Sequence, residues 1–325
     1  MTVRKVVFLH GLAPKLVELV LAPAAEGFEV HAVPGNAADD EQVRAVNDAD
    51  YLMIYRANPS DHVLRHCKKV RLIQLLAAGY DTLNVDLIHE LKIPLANNGG
   101  ANSWAVSDHT VLLMLALYRR LVSTDAQVRA GRWSEGIDGR NTFELADKVV
   151  GILGLGNIGK KVARRVQAFD ATVQYHQPRR LGPELEQELG VRYCSLDELV
   201  STSDILSLHA PLSARTRHII DRNRLQSMKP GAVVINTGRG ALIDETALVE
   251  ALKQGRLAGA GLDAFEEEPI RHDSPLLELE NVVLSPHSAG TTADTWRRRG
   301  AFAFANFQKV ESGQLPDAMI HPHTM

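Results

Sequence analysis

The run VVGILGLGNIGKKVARRVQAFDATVQ, residues 149–174, decides how the rest of the chain is read. An apolar stretch of strand character leads into Gly154, Gly156 and Gly159, spaced G-x-G-x-x-G; a helical pattern follows, then a second apolar stretch. The first glycine of such a turn permits the tight bend, the second lets the backbone approach a pyrophosphate, and the third allows close helix–strand packing. A helix opening there aims free N–H groups and the positive end of its dipole at an anion. Glycines also end strands for steric reasons alone. Here the strand before, the helix after and the second strand on schedule favour a dinucleotide loop.

Working outward, short apolar runs alternate with amphipathic ones along the whole chain, the signature of βα units and parallel sheets. Strands are expected at 5–10, 28–33, 51–55, 72–77 and 93–97, with helices at 14–25, 40–48 and 84–91. A long helical pattern at 103–122 opens on Ser103 as N-cap, and a polar stretch at 129–148 connects it to a second series. That series has strands at 149–154, 171–176, 204–209, 231–236, 257–262 and 281–285, and closes with a helix at 291–312 and a polar tail. No repeat or low-complexity segment interrupts the pattern.

At 325 residues the chain is long enough for two domains, and its net charge of −3 offers no basic field for nucleic acid and no polybasic surface for a membrane. The apolar run at 111–118 is far shorter than a membrane span. Two cysteines, Cys67 and Cys194, lie far apart without a CxxC, so a reducing, cytoplasmic setting is expected. The histidines, including those of the tail at 321–323, lack ligand spacing with an acid or thiol, and no metal is expected.

Parallel α/β sheets bind ligands beyond the carboxyl ends of their strands. Three strands of the second series end suggestively: AVVINTGRG delivers Arg239, AGAGLDAFEEEP delivers Asp263 and Glu266–Glu268, and NVVLSPHSAG delivers His287. Each has a bland reading, as a loop contact, a solvated acid run or a polar cap. Together, beside a nucleotide loop, they read as a site.

With these residues in view, the chain resembles the D-isomer-specific 2-hydroxyacid dehydrogenases, the glyoxylate and hydroxypyruvate reductases among them. GILGLGNIGKKVARR, LHAPLSARTRHIID, MKPGAVVINTGRGALIDETALVEAL, GAGLDAFEEEP and VVLSPHSAGTT stand in family order, and LAAGYDTLNVD and NNGGANSWAVSDH match in the first hundred or so residues. Two departures stand out: Gly238, where Ala or Ser is usual, and the GTT that follows His287, which differs mildly from the family's common ending. The resemblance implies an α/β protein of two Rossmann-like domains. A doubly wound, parallel-sheet dinucleotide-binding domain, 103–288, is inserted into a smaller flavodoxin-like substrate domain, 1–102 with 289–325, and substrate is expected in the cleft between them.

By the same resemblance Arg239, Glu268 and His287 are catalytic, and the backbone around Ala78, Gly79 and Tyr80, with Arg239, binds a small 2-oxo acid. Gly154, Gly156, Asn157, Ile158, Gly159, His209, Pro211, Thr216, Thr237, Gly238, Asp263, His287 and Ala289 line the cofactor, and a homodimer is implied. Trp104 and Trp296 are bulky candidates near the substrate, or packing residues.

The cofactor reading turns on YHQPRR, residues 175–180. Eighteen residues beyond Gly159, where an acid would grip the ribose of NAD, stands Gln177, followed by Pro178, Arg179 and Arg180. Loss of the acid and gain of two cations point to NADP(H), with residual use of NAD(H). Two other readings stay open: a phosphite or formate dehydrogenase on the same frame, which for formate is opposed by Glu268 standing where those enzymes carry Gln, and an NAD(H)-sensing, corepressor-like binding protein.

Overall fold

The computed structural model describes residues 3–133 and 139–321, and the chain divides into two compact units, 1–102 with 291–325 and 103–290. Part of the connecting stretch, 134–138, and the tail beyond His321 lie outside the described residues.

The first unit is built on β1 (Arg4–His10), β2 (Phe28–Pro34), β3 (Tyr51–Tyr55), β4 (Leu72–Leu75) and β5 (Leu95–Ala96), all parallel, in the order β2-β1-β3-β4-β5. This is the flavodoxin-like arrangement. Successive side chains of a strand face opposite sides, and here both sides are buried: Val7, Leu9, Leu52 and Ile54 enter one cluster, while Val6, Phe8, Tyr51 and Met53 enter another with Trp296, Phe304 and Phe307 of the helix Ala293–Glu311. Burial on two faces is why β1 and β3 read as continuous apolar runs. Trp296 belongs to this core, edge-on to Tyr55.

The second unit carries β6 (Val149–Leu153), β7 (Thr172–His176), β8 (Val191–Tyr193), β9 (Ile205–Leu208), β10 (Val233–Asn236), β11 (Gly259–Leu262) and β12 (Val282–Leu284). They are parallel, in the order β12-β11-β10-β9-β6-β7-β8. Counted within the unit, that is the doubly wound order, reversing between β6 and β9, and ligands bind such sheets at the reversal.

The structure corrects the sequence reading in places. The expected helix 103–122 ends at Tyr118; Arg120 takes the left-handed region at φ 50°, and a separate helix, Leu121–Arg129, follows. Ser103 is the first helical residue and is buried, rather than capping from outside. β8 is three residues long, too short for an alternation to show. β4 stops two residues before the expected end and β5 has only two residues, because the backbone beyond them turns into loops. No described helix is long and apolar enough to cross a membrane, and Cys67 and Cys194 are free and buried.

Candidate active site

Around the glycine turn, space accounts for each residue. A Cβ on Gly154 would lie 2.9 Å from the backbone of His209 and Ala210, and φ there is +93°. The turn leaving β6 therefore presses on the turn leaving β9 at the sheet's reversal. A Cβ on Gly159 would lie 2.3 Å from the Gly154 carbonyl, so that glycine seats the helix Asn157–Gln167 on its strand. Gly156 is different: nothing lies within 4 Å of a Cβ built there. No protein atom demands glycine at 156, and the helix N-terminus has no side-chain cap. A phosphate approaching this turn would use both the space and the N–H groups at the start of the helix.

Past β9, burial pushes the His209 imidazole down to about 3, so the ring is neutral; Nε2 hydrogen-bonds Ser207 Oγ at 2.8 Å. Its Nδ1 is buried and has no protein partner among the described residues. An open glycine face and an orphaned nitrogen on the two turns flanking the reversal fit a dinucleotide. Thr216 is committed elsewhere: its hydroxyl donates to the Pro211 carbonyl and accepts from the Ser213 N–H, closing the turn between them.

The loop after β7 is arranged by Gln177. Its amide oxygen accepts from the Leu155 N–H at 3.1 Å and its amide nitrogen donates to the Arg179 carbonyl at 2.7 Å, tying this loop to the glycine turn. The two arginines have different settings. Arg180 donates both arms of its guanidinium to Glu186 at 2.9 and 2.7 Å, and Glu186 also accepts from the buried Tyr175 hydroxyl at 2.6 Å. Those two hydrogen bonds hold the Glu186 carboxyl down at about 2. Arg179 is exposed.

The three polar strand ends are held by backbone. Beyond β10, the buried Asn236 side chain donates to the Arg239 carbonyl at 2.9 Å and accepts from the Gly238 N–H at 3.0 Å, folding the turn that presents Arg239. Gly240 lets that turn touch the next: a Cβ there would lie 1.8 Å from the backbone carbon of Phe265. Glu268, on this second loop, accepts from the Phe265 N–H at 3.0 Å through one oxygen and from His287 Nδ1 at 2.7 Å through the other. Burial raises the Glu268 carboxyl, but these hydrogen bonds and the charges of His287 and Arg239 together outweigh it and hold it below the usual range. A carboxylate only accepts, so Nδ1 carries the proton. His287 itself has φ 49°, a conformation that costs a bulky residue of order 1 kcal/mol and persists only where its surroundings hold it.

What holds it is Asp263, at the end of β11. This buried carboxylate accepts from the Ser285 hydroxyl at 2.6 Å and from the N–H groups of Ser288 and Ala289 at 2.8 Å each. Ser285 in turn meets His109 Nε2 at 2.8 Å, and the buried hydroxyls of Thr110 and Thr237 meet at 3.0 Å. His109 and Ser285 escaped the sequence reading; the available signal was the polar SDHT at 107–110 inside an otherwise apolar helix. Glu266 pairs with His218 at 2.5 Å instead of joining Glu268. Among the described residues no group of three His, Cys, Asp or Glu side chains is arranged to hold a metal ion.

In the first unit, Ala78, Gly79 and Tyr80 follow β4, where Asn97 donates to the Ala78 carbonyl at 3.4 Å. A cavity of about 300 Å³ is lined there by Tyr55, Arg56, Asn58, Gly79 and Tyr80. Trp104, by contrast, is half exposed on the second unit, with the Lys161 ammonium 4.1 Å from its ring centroid.

Comparison with known proteins identifies the family. Residues 111–289 match the family model for the NAD binding domain of D-isomer specific 2-hydroxyacid dehydrogenases. The chain is 40% identical to a glyoxylate/hydroxypyruvate reductase B of Pectobacterium carotovorum over 81% of its length and 82% of the relative's. It is 36% identical to a glyoxylate reductase of Korarchaeum cryptofilum over 93% and 92%. The crystal structure of a glyoxylate reductase from Paecilomyes thermophila superposes with a TM-score of 0.84 at 30% identity, each chain covered in full. The protein belongs to the D-isomer specific 2-hydroxyacid dehydrogenase family, and its second unit is the family's nicotinamide-dinucleotide domain.

Proposed function

We propose that this oxidoreductase reduces a small 2-oxo acid, glyoxylate or hydroxypyruvate, to the D-2-hydroxy acid, with His287 as proton donor and NADP(H) preferred. The observation that carries the chemistry is the 2.7 Å bond from His287 Nδ1 to a Glu268 carboxylate whose charge Arg239 also favours. The names of the relatives support the substrate class.

When bound, the reduced nicotinamide supplies a hydride to the substrate's C2. The protein's own part is to orient, polarise and protonate. Arg239, with a planar fork, holds the substrate carboxylate and polarises the carbonyl. The backbone N–H groups around Ala78, Gly79 and Tyr80 are proposed to contact the substrate. His287, with Nδ1–H on Glu268, delivers the proton on Nε2 to the developing alkoxide, and Glu268 favours the imidazolium by pairing with it. Because the folded Glu268 carboxyl lies below the ordinary value, this pairing is complete above that value and is lost only as pH falls through the depressed one.

Arg239→Ala is expected to raise KM for the 2-oxo acid and lower kcat together. Arg239→Lys recovers only part of each, since an ammonium cannot make two parallel hydrogen bonds. Steady-state kinetics of the pair check this, and a lysine variant equal to wild type would reduce Arg239 to a point charge.

For the cofactor, Gln177 removes the acid that would repel a 2′-phosphate, and the exposed Arg179 is the guanidinium proposed to meet it. Arg180, already forked onto Glu186, holds the loop. Free, buried cysteines suit a reducing cytoplasm.

We also propose a homodimer. The helix Leu121–Arg129 buries none of its residues, and Leu112, Leu121, Val122, Val128 and Phe143 are exposed on the same unit. These exposed apolar side chains are the proposed contacts for a second copy. Light scattering at micromolar concentration is expected to give twice 35.7 kDa; a monomer would remove the proposal.

A further inference from the structure

We propose that His109 is a positioning residue for the reaction, acting through Ser285 and Asp263 to fix the turn that presents His287; this rests on the assignment of His287 as proton donor. The direction of each hydrogen bond carries the argument. Asp263 accepts from the Ser285 hydroxyl at 2.6 Å, so the serine proton is spent there. Ser285 Oγ is then the acceptor for His109, and Nε2 of His109 bears the hydrogen at 2.8 Å. At the far end of the same turn the N–H groups of Ser288 and Ala289 reach the same carboxylate. Residues 285 to 289 are thus pinned at both ends to one buried group, and His287 stands between, in its left-handed backbone, with its own N–H on the Ser285 carbonyl at 3.0 Å.

Helix packing explains why a residue so distant in sequence reaches this turn. A Cβ on Gly261 of β11 would lie 2.9 Å from Leu113 Cβ, so the helix Ser103–Tyr118 lies directly against the strand's backbone. Leu117 packs over Gly259 and Leu113 over Gly261. One helical turn further toward the helix N-terminus, in the direction β11 runs to Asp263, comes His109. Without its N–H the Ser285 hydroxyl loses the partner that orients it, and the strained backbone of His287 loses a restraint that over-determines it.

The test compares His109→Leu, which removes the donor at similar size, with His109→Gln, which keeps an N–H of similar reach. The leucine variant is expected to lose about tenfold or more in kcat, as misplacement of a reacting group does, while the cofactor Kd from fluorescence titration stays unchanged. The glutamine variant keeps most of the activity. Ser285→Ala, removing the middle link, gives the leucine pattern and serves if the leucine variant folds poorly. Wild-type kcat in His109→Leu, equal damage in the leucine and glutamine variants, or a loss confined to cofactor Kd overturns the proposal. In a His287→Ala background, His109→Leu is expected to add nothing, because it acts through the missing residue. Additive losses there sink the His109 role alone, whereas a fully active His287→Ala sinks the proton-donor assignment beneath it.

Discussion

His287→Ala is expected to lower kcat for 2-oxo acid reduction by about 100-fold or more, the range of a positioned general acid, while leaving dinucleotide binding largely intact. The separation of effects follows from where the residue is held. Its ring is fixed by Glu268 at 2.7 Å and its backbone by the Asp263 turn, whereas the glycine turn and the Gln177 loop are assembled from other residues. Glu268→Gln should act in the same direction, since an amide pairs with the neutral ring but gives the imidazolium no counter-charge. A His287→Ala enzyme with wild-type kcat on its best substrate would remove the assignment.

The second large effect concerns the cofactor. Wild type is expected to show the higher kcat/KM with NADPH, and Gln177→Asp with Arg179→Ala is expected to reverse the order. Two unit charges 4 Å apart at an effective dielectric of 20 interact by about 4 kcal/mol. Solvent and salt around this exposed loop reduce that to a change on the order of 100-fold in the NADPH-to-NADH ratio. Arg180 is left in place by design, because its removal would uncover the Glu186 carboxylate. A wild type with the higher kcat/KM for NADH would end this reading. Affinity for 2′,5′-ADP against 5′-ADP, free of any turnover, measures the same selectivity independently.

What the sequence disclosed, and what it hid, divides along physical lines. Gly154 and Gly159 were legible because local sterics demand them, and the ligand side of the sheet because parallel strands all end on one face. Arg239, Glu268 and His287 could be placed from the strands they follow. The helix break at Arg120 carries no glycine or proline to announce it. The commitment of Arg180 to Glu186 depends on the buried Tyr175 hydroxyl fixing that carboxylate, which no charge pattern reveals. His109 and Ser285 lie 176 positions apart and meet only because Gly261 lets a helix lie against a strand. Local rules locate turns; contacts between distant elements need the packed fold.

The central claim, a reductase of small 2-oxo acids, is tested most directly by following the loss of NADPH or NADH absorbance over a panel of glyoxylate, hydroxypyruvate and bulkier 2-oxo acids, with formate and phosphite offered to the oxidised cofactors as controls. Turnover of glyoxylate or hydroxypyruvate, faster with NADPH and abolished to within about 1% in His287→Ala, is the result predicted. No turnover of any 2-oxo acid with either cofactor, or oxidation of formate or phosphite in its place, would contradict it.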